Sequence, residues 1–252
     1  MRPRGKTMTP AEAQERLLAL GFGPEDAARL FQHFDDAETR GKLGHGYSRI
    51  EWLESLEDVD PTARPERVLA EPGYERWHGR GALGYLTLAA IVDSQLAEPP
   101  EHARVVVAER CFPTGMLGHY VRRLAEGGLV AALTATSPPR LGHPAGGPKL
   151  AGTNPLAVGI PSSGGEPIVV DVSMGEITWG DVIAGRANEE DLVPFGGEHA
   201  HKSFALALGL QLLVDSVAGE GYGAVMLVAR PRADPVPGLR ERAVDVRLPG
   251  DG

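Results

Sequence analysis

The sequence predicts an α/β protein of α+β-like character, with a mixed or antiparallel sheet, flanking helices and an N-terminal helical cap. Three observations carry that class. Residues 1–65 hold only helix-patterned segments, while residues 66–252 interleave β-branched runs with helical ones. Two of those runs, 156–160 and 168–172, flank Gly164-Gly165, a turn that pairs neighbours antiparallel. A doubly wound parallel sheet would not contain such a hairpin.

The elements follow in order. Thr9-Pro10-Ala11-Glu12 starts a helix: Thr9 caps, Pro10 stands where a missing N–H costs nothing, and Glu12 suits the positive end. That helix carries Leu17, Leu18 and Leu20 and stops at Gly21. Gly23-Pro24-Glu25-Asp26 starts a second, with Ala28, Leu30, Phe31 and Phe34 on its apolar side. A glycine-rich loop from Gly41 to Gly46 follows, and Ser48 is expected to cap a third helix running through Trp52, Leu53 and Leu56. Pro61 and Pro65 then break the pattern, closing the cap before the core. Beyond them, helices are expected over 83–96, 115–126 and 203–217, and strands over 104–109, 129–134, 156–160, 168–172 and 223–229. The Pro- and charge-rich end offers one further strand, Val244–Leu248.

The chain has 252 residues, 42% of them hydrophobic, and a formal charge of −9. It has the apolar content of a globular protein and no Lys/Arg run, so a nucleic-acid partner is not expected. Cys111 is the single cysteine, which excludes an internal disulfide and a cysteine zinc site and suits a reducing, cytoplasmic setting. The apolar run near 204–214 is too short to span a membrane, and the basic stretch Met1–Met8 lacks the apolar region of a secretory signal and reads as a frayed tail. No GxGxxG lies between a strand and a helix, and no P-loop, HExxH or GxSxG occurs, so a Rossmann domain is not expected. His199-Ala200-His201 presents two imidazoles, but the only adjacent carboxylate is Glu198; no metal is expected.

Four segments carry possible chemistry. In Gly44-His45-Gly46-Tyr47-Ser48-Arg49, a histidine that titrates near neutrality lies four residues before an arginine able to fork onto a carboxylate. A flexible loop histidine and a carbonyl-capping arginine fit the same spacing. Thr134 to Pro139, then Gly146-Gly147 and Gly152-Thr153-Asn154-Pro155, string hydroxyls and backbone donors after a buried strand; ordinary turn chemistry accounts for them equally. Val170-Asp171-Val172-Ser173-Met174-Gly175 ends a strand in small polar groups. Pro194-Phe195-Gly196-Gly197 leads to Lys202 at the head of an apolar helix, either an anion contact or an exposed lysine.

Together and in this order, these segments resemble the malate/L-lactate dehydrogenase type-2 family, which includes ureidoglycolate and sulfolactate dehydrogenases and Δ1-piperideine-2-carboxylate reductases. The family's SHGxSR is similar to Gly44–Arg49, its TNxSP to Thr134–Pro138 and its LGTNPLA to Ala151–Ala157. Its LDMATS is similar to Val170–Gly175, and its PxGGxKG to Pro194–Ser203 with two extra residues. The resemblance implies a non-Rossmann NAD(P)-binding fold, NADPH or NADH as cofactor, and an intertwined homodimer. It implies His45 as acid/base and Arg49 as carboxylate anchor. Gly115, Thr136, Ser137, Asp171, Ser173, Met174 and Lys202 would lie along the cofactor, and Tyr47, Thr153 and Asn154 beside the substrate.

The departures are specific. Gly44 replaces the family's serine, Ala135 its asparagine and Ser203 the glycine after its lysine. The loop NSNHFG corresponds to Arg110–Gly115, with Pro113 in place of a second active-site histidine. The stretch from Gly180 to Leu192 is expected to be a short linker. Three readings fit. One is an NAD(P)H-dependent reductase of a C=N or C=O bond beside a carboxyl or carbonyl group, plausible for a cyclic imine or modified peptide in secondary metabolism. Another is a non-redox enzyme using His45; the last is a non-catalytic partner of a complete homologue.

Overall fold

The structure is a computed structural model in which residues 8–251 are described. The basic tail thus lies, apart from Met8, outside the described residues. Three helices form the cap: α1 (Pro10–Ala19), α2 (Pro24–Thr39) and α3 (Ser48–Glu54). Thr9 and Glu12 make the reciprocal capping box that the sequence signals, with each side chain on the other's backbone N–H. Ser48 does not cap α3. It is the first helical residue, and its hydroxyl donates to the Leu43 carbonyl at 2.8 Å, tying the preceding loop.

The core contains β1 (Glu66–Glu71), β2 (Tyr74–His78), α4 (Gly84–Ala97), β3 (Ala103–Glu109), α5 (Leu117–Glu126) and β4 (Val130–Ala135). It continues with β5 (Leu141–Gly142), β6 (Lys149–Ala151), β7 (Leu156–Ile160), β8 (Ile168–Val172), α6 (Trp179–Ile183), α7 (Ala200–Ala218), β9 (Ala224–Ala229) and α8 (Val236–Arg242). Seven strands form one sheet in the order β1-β2-β3-β9-β4-β7-β8. Among the described residues only β2 and β3 run parallel; the other pairs are antiparallel, including the β7–β8 hairpin across Gly164-Gly165. The mixed sheet expected from the sequence is the one found.

Leu88, Ile91 and Val92 of α4 and Leu117, Tyr120, Val121 and Leu124 of α5 bury one face of the sheet. On the other, Val214 and Ala218 of α7 pack on Val107. The cap's Leu17, Leu30, Phe34, Ile50 and Leu53 share a core with Leu83, Tyr85 and Leu86 at the start of α4. That contact brings the α2–α3 loop to the ends of β4 and β8. A buried carboxylate ties the edge: Glu75 of β2 accepts from Trp77 Nε1 at 3.0 Å and Gln95 Nε2 at 2.9 Å and pairs with Arg104 Nη1 at 3.1 Å.

Four further expectations change. The β1–β2 hairpin was not foreseen; β1 is wholly exposed, so it shows no buried alternation to read. Val244–Leu248 is not a strand: Val244 and Val246 are exposed and Asp245 has φ 58°, a turn. The helix expected from Gly115 begins at Leu117. Finally, the linker from Gly180 to Leu192 contains most of α6 and a further helical turn, Glu189–Asp191.

Candidate active site

The described chain folds a cleft where the α2–α3 loop, the β3–α5 loop, the ends of β4 and β8 and the first turn of α6 converge. His45, Arg49, Gly115, Thr136, Ser137, Thr153, Asp171 and Ser173 all line it, drawn together from five sequence segments.

The α2–α3 loop is set by short contacts. His45 N–H donates to the Lys42 carbonyl at 2.8 Å, and Tyr47 N–H to Glu38 Oε2 at 2.9 Å. Gly44 must be glycine: a Cβ would lie 2.6 Å from Asp181 Oδ1 and 2.8 Å from Asp181 N. The space a serine side chain would need is filled by α6. That helix begins with its own capping box between Thr178 and Asp181, which fixes Trp179 and Asp181 relative to the cleft.

The His45 ring is half-buried and its Nδ1 is buried with no partner. Burial first, then Arg49, depress its pKa to about 4, against the opposing pull of Asp181. The imidazole is therefore neutral at pH 7.

Arg49 is only 5% exposed. Its Nε donates to the Tyr85 hydroxyl at 3.2 Å and its Cζ lies 4.2 Å over the Trp52 ring, but its buried Nη1 has no partner. Among the described residues it forms no ion pair. A buried guanidinium left short of acceptors is costly unless an anion completes it.

Behind it, His33 is buried against Tyr85 and His119, and its Nε2 accepts from Met116 N–H at 3.1 Å. Burial holds its pKa well below the ordinary value.

Asp171 accepts from Gly118 N–H at the head of α5, at 2.8 Å. Burial outweighs that hydrogen bond and lifts its pKa to about 6. Asp171, Lys42 and Met116 also line a second groove on the α5 side, where Arg40, Arg122 and Arg247 meet. Arg122 is 7% exposed; its Nη2 reaches the Gly250 carbonyl at 3.3 Å, while Nε and Nη1 are buried and unpartnered.

Four expected site residues lie elsewhere. Tyr47 packs in the cap core, with its hydroxyl on Asp35. Asn154 is fully buried as a structural bracket, its Nδ2 donating to the Ala207 carbonyl and Gln211 and its Oδ1 accepting from Ser137 N–H. Met174 fills the small core under α7. Lys202 is exposed on the first turn of α7 and does not line the cleft. His199 and His201 have ring centroids 6.2 Å apart.

Sequence reasoning missed Arg140, Trp179, Asp181 and Arg122. The pattern Thr178-x-x-Asp181 was the available signal for α6; no local signal marks the arginines, which the fold leaves without an ion pair among the described residues.

A chain with a mostly antiparallel sheet, no Rossmann motif and this cleft falls in a known class. Residues 9–192 match the malate/L-lactate dehydrogenase family model, and the chain belongs to that family. It is 31% identical over 188 residues to 2,3-diketo-L-gulonate reductase of Citrobacter koseri, covering 72% of this chain and 55% of that protein. It is 25% identical over 225 residues to ureidoglycolate dehydrogenase (NAD(+)) of Escherichia coli, covering 85% and 63%. The chain thus spans a little over half the length of these relatives. Its fold is similar to Δ1-piperideine-2-carboxylate reductase of Pseudomonas syringae (TM-score 0.80, 24% identity, 98% of this chain and 91% of that one). It is also similar to malate dehydrogenase of Entamoeba histolytica (TM-score 0.83, 17% identity, 97% and 86%). Among the described residues no helix is long and apolar enough to cross a membrane.

Proposed function

We propose that the chain is an NAD(P)H-dependent oxidoreductase acting on a C=N or C=O carbon beside a carboxyl group. The observation that carries this reading is the buried Arg49, with an unpartnered Nη1, lining one cleft with His45. Arg49 supplies a fixed fork for a carboxylate, and its Tyr85 and Trp52 contacts hold the fork in place. His45, neutral at rest, takes a proton from a hydroxyl in the oxidative direction and returns it in the reductive one. A carboxylate bound on Arg49 offsets the charge that depresses the His45 pKa, so substrate binding itself raises it toward a useful range. Asp171 keeps its proton up to about pH 6 and is a second acid lining the cleft.

The residues present fit a nicotinamide dinucleotide. Thr136, Ser137, Asp171 and Ser173 would hold it along the cleft, and Arg122, whose Nε and Nη1 lack partners, would meet its phosphates with Arg40, Lys42 and Arg247. That density of cations favours NADPH over NADH. When bound, the group supplies or accepts the hydride. Pro113, standing where relatives carry a second histidine, favours a C=N acceptor such as a cyclic imine, because an iminium reaches the site already activated.

The test is thermal stability with NADPH, with NADH and without either, followed by turnover of cyclic 2-imino acids and 2-oxo acids. A shift of several degrees with NADPH, and dinucleotide oxidation with an imine, are expected. No shift at millimolar concentrations of either dinucleotide would sink the reading.

A further inference from the structure

Arg140 follows the loop after β4, and its backbone N–H donates to the Ala151 carbonyl at 2.8 Å. Its guanidinium lies 3.6 Å over the Trp179 ring, a close cation–π contact. Both side chains line the cleft that contains Arg49. The Arg140 guanidinium has no hydrogen bond or ion pair with the described residues; the carboxylate that acts on it is that of Glu189, which is paired with Lys149 at 3.0 Å. Trp179 is held by the Thr178–Asp181 capping box, so the cation sits on a fixed platform. A chain of net charge −9 here assembles Lys42, Arg49 and Arg140 around one carboxylate, Asp171.

We propose that Arg140, stacked on Trp179, recognises a second anionic group on the substrate, so that the preferred acceptors are doubly charged 2-oxo or 2-imino acids. The proposal rests on the reductase reading of the cleft and adds the substrate class. On that reading the cofactor's phosphates would meet Arg122 and Arg247, which line the other groove beyond Asp171. Arg140 is thereby left to the substrate: Arg49 takes the carboxylate beside the reacting carbon and Arg140 the distal one. An arginine held over an indole can still present N–H groups to an anion, which a lysine would do with less definition.

The test is calorimetric titration of the wild-type chain and Arg140→Met with 2-oxoglutarate (doubly charged) and 2-oxobutyrate (singly charged), with and without NADPH. The wild-type chain should bind 2-oxoglutarate roughly tenfold or more tightly than 2-oxobutyrate. Arg140→Met should erase that preference while leaving 2-oxobutyrate and NADPH affinities unchanged. Arg140→Lys, which keeps the charge, should restore part of it and guards against a folding defect in the first variant. Equal affinities in the wild type would overturn the proposal. So would an Arg140→Met chain that loses NADPH affinity instead, since the guanidinium would then serve the cofactor. Dinucleotide oxidation is read separately. Arg140-dependent binding without turnover keeps the second anion site and defeats the reductase reading; turnover without a charge preference does the reverse.

Discussion

Arg49 and His45 act on each other at short range, and that coupling can be measured. Removing the guanidinium in Arg49→Met takes away the second cause of the low His45 pKa, which should then rise from about 4 toward its ordinary value. NMR titration of the His45 ring reads this directly. The same variant should lose roughly a hundredfold or more in kcat/KM for a carboxylate substrate, with little loss of stability, because an incompletely paired buried cation is removed. An unmoved His45 titration would separate the two residues.

Asp171 and His45 depart from their ordinary values in opposite senses, so their effects on stability oppose each other. Asp171 is raised to about 6; its contribution is full below its unfolded value and is lost as pH rises through about 6. His45 is lowered to about 4; its contribution is full above its unfolded value and is lost as pH falls toward about 4. Asp171→Asn should therefore be more stable than wild type above pH 7, by about 1–2 kcal/mol, with the gain gone near pH 4. Denaturant unfolding across that range checks the sign. In the reductive direction the variant should also lose any decline in rate that centres near pH 6.

At the scale of elements, α6 decides what the cleft contains. It puts Asp181 against Gly44 and Trp179 under Arg140, and it forms because Thr178 and Asp181 cap it. Thr178→Ala should cost about 1 kcal/mol and weaken turnover through both neighbours. Gly44→Ser, which restores the residue that the family's motif carries, should reduce stability by about 1–3 kcal/mol and lower activity, since its Cβ meets the α6 backbone. A thermal melt showing Gly44→Ser at wild-type stability would mean that α6 is free to shift.

The same helix marks where the sequence was readable and where it was not. The α1 and α2 starts, the β7–β8 hairpin and the strands of the buried core carry local signals: caps, a Gly-Gly turn and β-branched runs. That His45, Arg49 and Asp171 would share a site came from the family resemblance and from no local signal; the fold lines one cleft with all three. The edge hairpin β1–β2 has no buried face on β1, so no period marks it. Tyr47, Asn154 and Met174 were polar or flexible residues inside good motifs, and only packing shows that they bracket the site from behind. Arg122 and Arg140 are ordinary arginines in sequence; what sets them apart is that neither forms an ion pair with a carboxylate among the described residues after folding.

Across the whole molecule, the sheet is unequally covered. Helices α4 and α5 seal one face, whereas on the other α7 leaves apolar groups in contact with water. Leu206, Leu213 and Val217 are 54%, 50% and 43% exposed. At positions i, i+7 and i+11 of one helix, they form a single stripe. On the same open side of the molecule's surface, Leu227 of β9 and Val105 of β3 are 43% and 39% exposed and pair directly across the sheet. Apolar residues grouped in this way mark an interface more often than a solvated surface. The homodimer that the family resemblance implies would cover them with a second copy of the chain. Sedimentation velocity should give twice the chain mass, and Leu206→Asp with Leu213→Asp should reduce it to one chain mass while leaving the isolated fold cooperative. If the wild-type chain sediments as a monomer, the stripe must be covered by something other than a copy of itself. If the double variant remains dimeric, the twofold contact lies elsewhere on the molecule.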